Sequence, residues 1–101
     1  MIHYELMENE QWKIIKSKPN YEVSNSGLVR HAKTKRPLKI YTTSQDNQYI
    51  SDVGLRIYIE RLVAAHFLEP PDAHHVIEHL DGNRLNNHVS NLIRIASGFA
   101  V

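Results

Sequence analysis

The 101-residue chain has no cysteine. That excludes a disulfide framework, a thiol nucleophile and any cysteine-ligated metal, and it suits a reducing compartment. Glycine and proline are sparse, four of each, and neither a low-complexity tract nor an internal repeat is present. No apolar run approaches the roughly 20 residues that cross a bilayer, and the N-terminus lacks a basic-then-apolar signal segment. A membrane is therefore not an expected partner, and the cytoplasm is the expected location. Charge of one sign is also lacking, because 12 lysines and arginines face 11 acids for a net charge of +1. What is there is ordinary globular material, 42% hydrophobic and 23% charged, enough for one domain or two very small modules on one core.

The near-neutral total hides an uneven distribution. Residues 1–39 carry eight lysines and arginines against four acids, whereas residues 40–101 carry four against seven. Between Gly27 and Leu38 there is no acid at all. The strip made by Arg30, Lys33, Lys35, Arg36 and Lys39 could contact phosphates even on a nearly neutral chain. Its plain alternative is a solvated hairpin edge guarded by lysines.

Hydrophobic periodicity predicts an α+β fold, a small antiparallel sheet with one short helix. Trp12–Ile15 begins a strand, with Trp12 as the expected core anchor. Tyr21–Ser24 and Leu28–Arg30 flank the turn Asn25-Ser26-Gly27. Leu38–Tyr41 and Tyr49–Val53 follow the turns at Lys35-Arg36-Pro37 and Asp46-Asn47-Gln48. These strands read as one meander. From Tyr58 the period changes to that of a helix, with Ile59, Leu62, Val63, His66 and Phe67 on one face. Glu69-Pro70-Pro71-Asp72 must end it, since neither proline can continue a helix. Val76–His79 and Leu92–Ile95 read as the last two strands.

The densest chemistry lies between those strands. Glu78 and His79 precede the turn Asp81-Gly82, and Asn86, Asn87 and Asn91 follow. A histidine at a strand end can act as a general base near neutral pH. Glu78 would face the other side of an ideal strand and could share a cation with His79 only where the strand ends or twists. The amides suit a loop whose backbone groups are satisfied by side chains. The bland alternative is a polar loop with a surface histidine. His75-Val76-Ile77-Glu78-His79 also matches H-x-x-E-H, the inverted zinc-protease pattern. That chemistry needs a helix, and the two β-branched residues between Pro70-Pro71 and Asp81-Gly82 argue against one.

Residues 61–92, with Arg-Leu-Val-Ala-Ala-His-Phe-Leu followed by Val-Ile-Glu-His-Leu-Asp-Gly-Asn-Arg-Leu-Asn-Asn and Asn91-Leu92, resemble the HNH homing-endonuclease family. Trp12-Lys13-Ile14, with Tyr21 to Arg30, resembles the nuclease-associated modular domain that precedes such enzymes. Residues 1–10, acidic and punctuated by Asn9, read as a loose leader, and the resemblance implies a modular β domain over 11–57 and an HNH-like module over 58–101, the two sharing one core. It implies a ββα-metal (His-Me finger) nuclease, often phage-encoded and working in a bacterial host, that hydrolyses double-stranded DNA with one Mg2+ or Mn2+ ion. In that reading His79 is the general base, Glu78 the metal ligand, and Asn91 the amide that braces the loop and the histidine. The strip from Arg30 to Lys39 would hold the DNA backbone.

Three departures stand beside it. Glu78 occupies a position usually Asp or Asn. Glu60 stands where a histidine usually opens the helix. A final Asn or His is expected near Ala100, where the sequence has neither, so the motif reads as truncated. A homodimer or protein partner could complete such a site. The other implied function is a degenerate HNH-like domain that binds DNA without cutting, or acts as a small phage-encoded inhibitor of a nuclease or defence complex.

Overall fold

The computed structural model describes residues 10–68 and 75–96. The acidic leader except Glu10, the Pro70-Pro71 break and the region near Ala100 lie outside them. Strands β1 (Trp12–Ile15), β2 (Lys18–Ser24) and β3 (Val29–His31) form one antiparallel sheet in that order. Strands β4 (Tyr41–Thr42), β5 (Gln48–Asp52) and β6 (Leu55–Tyr58) form a second. Helix α1 (Ile59–Phe67) runs directly off β6, and β7 (His75–His79) pairs with β8 (Leu92–Ala96) as a separate hairpin. The fold is α+β, as expected, but the single meander is in fact two three-stranded sheets. Leu38–Ile40, expected to pair, contributes no strand, although the Arg30–Pro37 bridge and a bond from Leu38 N to Val29 O at 2.9 Å tie its start to β3. Strand β6 was not foreseen, because Leu55–Tyr58 runs straight into the helix and the change of period masks it.

The parts meet on one core. Ile15, Val23 and Val29 from the first sheet, Ile50 from the second, Ile59, Leu62 and Val63 from α1, and Leu92 from β8 form a single buried cluster. The apolar stripe of α1 closes it, which is why a nine-residue helix, marginal by itself, is stable here. Its C-terminal carbonyls are met by cations: Lys13 Nζ donates to His66 O at 2.8 Å and Arg94 Nη2 to Ala64 O at 2.8 Å. Trp12 lies outside the core cluster. It is half-buried, with the Arg30 guanidinium 3.7 Å above its ring, because β1 is an edge strand and its Trp12 face meets a cation instead of the core.

Hairpin β5–β6 turns on Val53 and Gly54, both in the left-handed region at φ 43° and 82°. Asp52 and Leu55 pair across the turn, so this is the two-residue connection that wants Asn-Gly. Val53 is 89% exposed and gains no packing to offset its backbone strain. Val53→Asn should stabilise the chain by about 1 kcal/mol, read as a higher urea midpoint. An unchanged or lower midpoint would show that the turn holds no strain at Val53.

Candidate active site

Strand β7 places His79 in the lining of a cleft of about 370 Å³, with Asn47, Glu60, Ile77, Glu78, Gly82 and Arg84. Glu60 comes from the first turn of α1, Asn47 from the β4–β5 loop, and the rest from β7 and the turn after it. Because His75–His79 is a strand, the zinc-protease pattern has no helix to stand on. Glu78 and His79 do line one cleft, since the strand ends there, at the turn opened by Gly82 N donating to His79 O at 3.0 Å.

The His79 side chain is only 6% exposed. Its Nε2 lies 2.7 Å from Asn87 Oδ1, and Asn87 Nδ2 donates to Gln48 Oε1 at 3.1 Å. A carbonyl oxygen can only accept, so this contact calls for the tautomer with the proton on Nε2, in which Nδ1 is the basic atom of the neutral ring. Glu60 Oε1 lies 3.9 Å from the same Nε2, placed to balance an imidazolium. Asn87 is buried, and neither it nor Glu60 was singled out as a site residue by sequence reasoning. For Asn87 the signal was only an amide among several. For Glu60 it was the carboxylate standing where the resemblance expects histidine.

Asn91 braces the turn. Its Nδ2 donates to Asp81 Oδ1 and to Asn86 O, each at 2.9 Å, and its Oδ1 accepts from Asp81 N at 3.1 Å. The direct bond to the His79 ring comes from Asn87, whereas Asn91 ends a 3-10 turn and bonds Asp81. Asp81 also accepts from Asn83 N at 2.7 Å and Asn86 Nδ2 at 3.1 Å. The Asn83 backbone N–H, aided by the Asn86 and Asn91 amides, holds its carboxyl below the usual carboxylate range. Asn91→Ala removes three bonds from a buried side chain, two of them to the Asp81 residue. A loss of about 2–3 kcal/mol is expected in chemical unfolding, and a loss under about 0.5 kcal/mol, the size of an ordinary surface change, would deny it the bracing role.

The basic strip divides in two. Glu22, buried on β2, accepts from Arg30 Nε at 2.6 Å and pairs with Lys35 Nζ at 3.2 Å. Arg30 first, then Lys35, holds the Glu22 carboxyl below its ordinary value. Lys33, Arg36 and Lys39 are exposed. Beyond them the outer face of the second sheet carries Tyr41, Tyr49 and Tyr58 in a row, with ring centroids 5.4 and 5.8 Å apart. Lys39 and Arg56 lie over two of those rings, at 5.0 and 4.5 Å.

Oxygen donors dominate the cleft, which suits a hard divalent cation. Magnesium takes one or two carboxylates and fills its remaining positions with water and substrate phosphates; the cleft lining offers the carboxylates of Glu60 and Glu78 and the amide of Asn47, together with the Arg84 cation. Among the described residues, no three acidic or imidazole side chains converge to hold an ion unaided.

Comparison with known proteins accounts for this arrangement. Residues 10–58 match the NUMOD4 motif. Over 87 residues the chain is 36% identical to the DNA endonuclease I-HmuI of Bacillus phage SP01, covering 81% of this chain and 50% of that protein. It is also 36% identical over 87 residues to an uncharacterized HNH endonuclease of Acanthamoeba polyphaga mimivirus, covering 81% of this chain and 26% of the relative. A solved structure described as DNA binding and cleavage by the HNH homing endonuclease I-HmuI superposes with a TM-score of 0.76 at 34% identity, over 85% of this chain and 52% of that one. The chain is an HNH-like protein with a NUMOD4 motif. The motif spans β1 to β6. The chain spans half or less of the length of these two curated relatives. Among the described residues no helix is long and apolar enough to cross a membrane.

Proposed function

We propose that this HNH-like chain is the cutting part of a metal-dependent DNA endonuclease that hydrolyses phosphodiester bonds in double-stranded DNA. The observation that carries the reading is the His79 ring, held in a polar cleft with Nε2 donating to Asn87 and Nδ1 left to take a proton. A water in the cleft gives its proton to Nδ1 as its oxygen bonds to phosphorus, and the bond to the leaving sugar oxygen breaks. Glu60 stabilises the resulting imidazolium from 3.9 Å. Glu78 would hold one magnesium or manganese ion, which when bound supplies positive charge against the negative charge that develops on the phosphate.

Lys33, Arg36 and Lys39 then meet the DNA backbone and continue onto Arg56 and the tyrosine row, while Arg30 and Lys35 stiffen that surface through Glu22. Cytoplasmic action in a phage-infected bacterium is consistent with the phage relative. The test is supercoiled plasmid incubated with the chain and magnesium or manganese. Nicking that disappears with a chelator is the expected result. No nicking at any protein concentration, with plasmid still retarded in a gel, would replace this reading with a DNA-binding domain that does not cut.

A further inference from the structure

A residue of the NUMOD4 motif reaches the His79 ring through Asn87. Gln48 opens β5, and strand alternation turns its side chain to the same face as the buried Ile50, toward the HNH-like half. There its Oε1 accepts from Asn87 Nδ2 at 3.1 Å. An amide with its Nδ2 committed in this way can show His79 only its oxygen, 2.7 Å from Nε2. The two halves are fastened at the same spot. Val89 N donates to Asn25 O at 2.7 Å, and a Cβ on Gly27 would lie 3.0 Å from the Asn87 Cβ, so the Gly27 backbone is the floor under Asn87. Asn87, buried and backed by Gly27, has little freedom to swing away.

We propose that Gln48 is a positioning residue: by accepting from Asn87 Nδ2 it turns Asn87 Oδ1 toward His79, fixes the ring proton on Nε2 and frees Nδ1. On this view the NUMOD4 motif sets which nitrogen of the histidine is basic, in addition to whatever DNA it contacts. The consequence for rate rests on the cutting role proposed for His79, whereas the proton placement does not.

Gln48→Lys and Gln48→Glu separate the idea from simple packing. Lysine only donates, so Asn87 must turn its oxygen to residue 48 and present Nδ2 to the ring, and the proton moves to Nδ1. Glutamate only accepts, so the wild-type arrangement survives. Long-range proton–nitrogen spectra of the 15N-labelled chain, without metal or DNA and at a pH that keeps the ring neutral, read the tautomer directly. A protonated-type Nε2 is expected in wild type and Gln48→Glu, and a protonated-type Nδ1 in Gln48→Lys. A wild-type ring protonated on Nδ1, or a folded lysine variant with the wild-type tautomer, overturns the proposal. Should Gln48→Lys not fold, the wild-type and Gln48→Glu spectra still decide it, since loss of the Nε2 proton in either contradicts the relay.

In the nicking assay the lysine variant should lose activity by up to about 10⁴-fold, the cost known for holding a catalytic imidazole in its wrong tautomer, while Gln48→Glu retains cutting. If wild type does not nick but the tautomers follow this pattern, the cutting role falls and the relay stands.

Discussion

Replacing His79 by alanine should lower the rate of plasmid nicking by about 10²- to 10⁴-fold, the range a positioned general base contributes. Binding of the same plasmid should not change. The separation follows from the geometry. His79 is a largely buried ring bonded to Asn87, and the exposed cations Lys33, Arg36 and Lys39 belong to the loop after β3, in the NUMOD4 half. The variant removes the base and leaves Asn87 anchored to Gln48, so the cleft should keep its shape. Equal loss of nicking and binding would mean that His79 is a structural residue whose ring holds the two halves together. Unchanged nicking would transfer the base role to another group and remove the observation on which the cutting function rests. His79→Gln adds a useful control, because its side-chain amide can still donate to Asn87 but takes no proton from water near neutral pH.

The elements with a strong period were legible in the sequence. Trp12–Ile15 and Ile59–Phe67 fall where alternation and helical spacing put them, and the Asn25-Ser26-Gly27 turn lies where glycine is needed. What could not be read is what depends on partners distant in sequence. Trp12 has the composition of a core anchor, yet its ring faces Arg30 across 18 positions because β1 ends the sheet. The strip from Arg30 to Lys39 looks like five equivalent cations, and only the buried Glu22 shows that two of them are engaged. Strand β6 was hidden because Val53 is a poor residue for its turn, and because the helix starts at the very next residue after the strand. At the site, Glu78 and His79 announce themselves by adjacency. Asn87 does not, since its role comes from Gln48, 39 residues earlier in the chain.

Gly27→Ala should be among the most damaging single changes in the chain, with a loss of about 2–5 kcal/mol in chemical unfolding. Two independent costs add. Gly27 has φ 92°, a conformation that costs an L-residue about 1–2 kcal/mol. The new methyl would also stand 3.0 Å from the Asn87 Cβ and 3.2 Å from Ile59 Cγ2. Neither neighbour can move cheaply, for Ile59 is fully buried in the core and Asn87 is bonded on both sides, to Gln48 and His79. Forcing them apart adds about 1–3 kcal/mol of overpacking. The surrounding turn resists relaxation, because Ser24 is fully buried and its Oγ accepts from Leu28 N at 3.0 Å and Ser26 N at 3.2 Å. The His79 ring resonances should shift in any folded fraction, since the methyl reaches His79 through Asn87. A Gly27→Ala chain within about 0.5 kcal/mol of wild type would mean that the loop relaxes freely, and that the NUMOD4 motif is not the floor of the HNH-like site. A large loss with unmoved His79 signals would confine the damage to Ile59 and the core, and would separate folding support from site support in this one glycine.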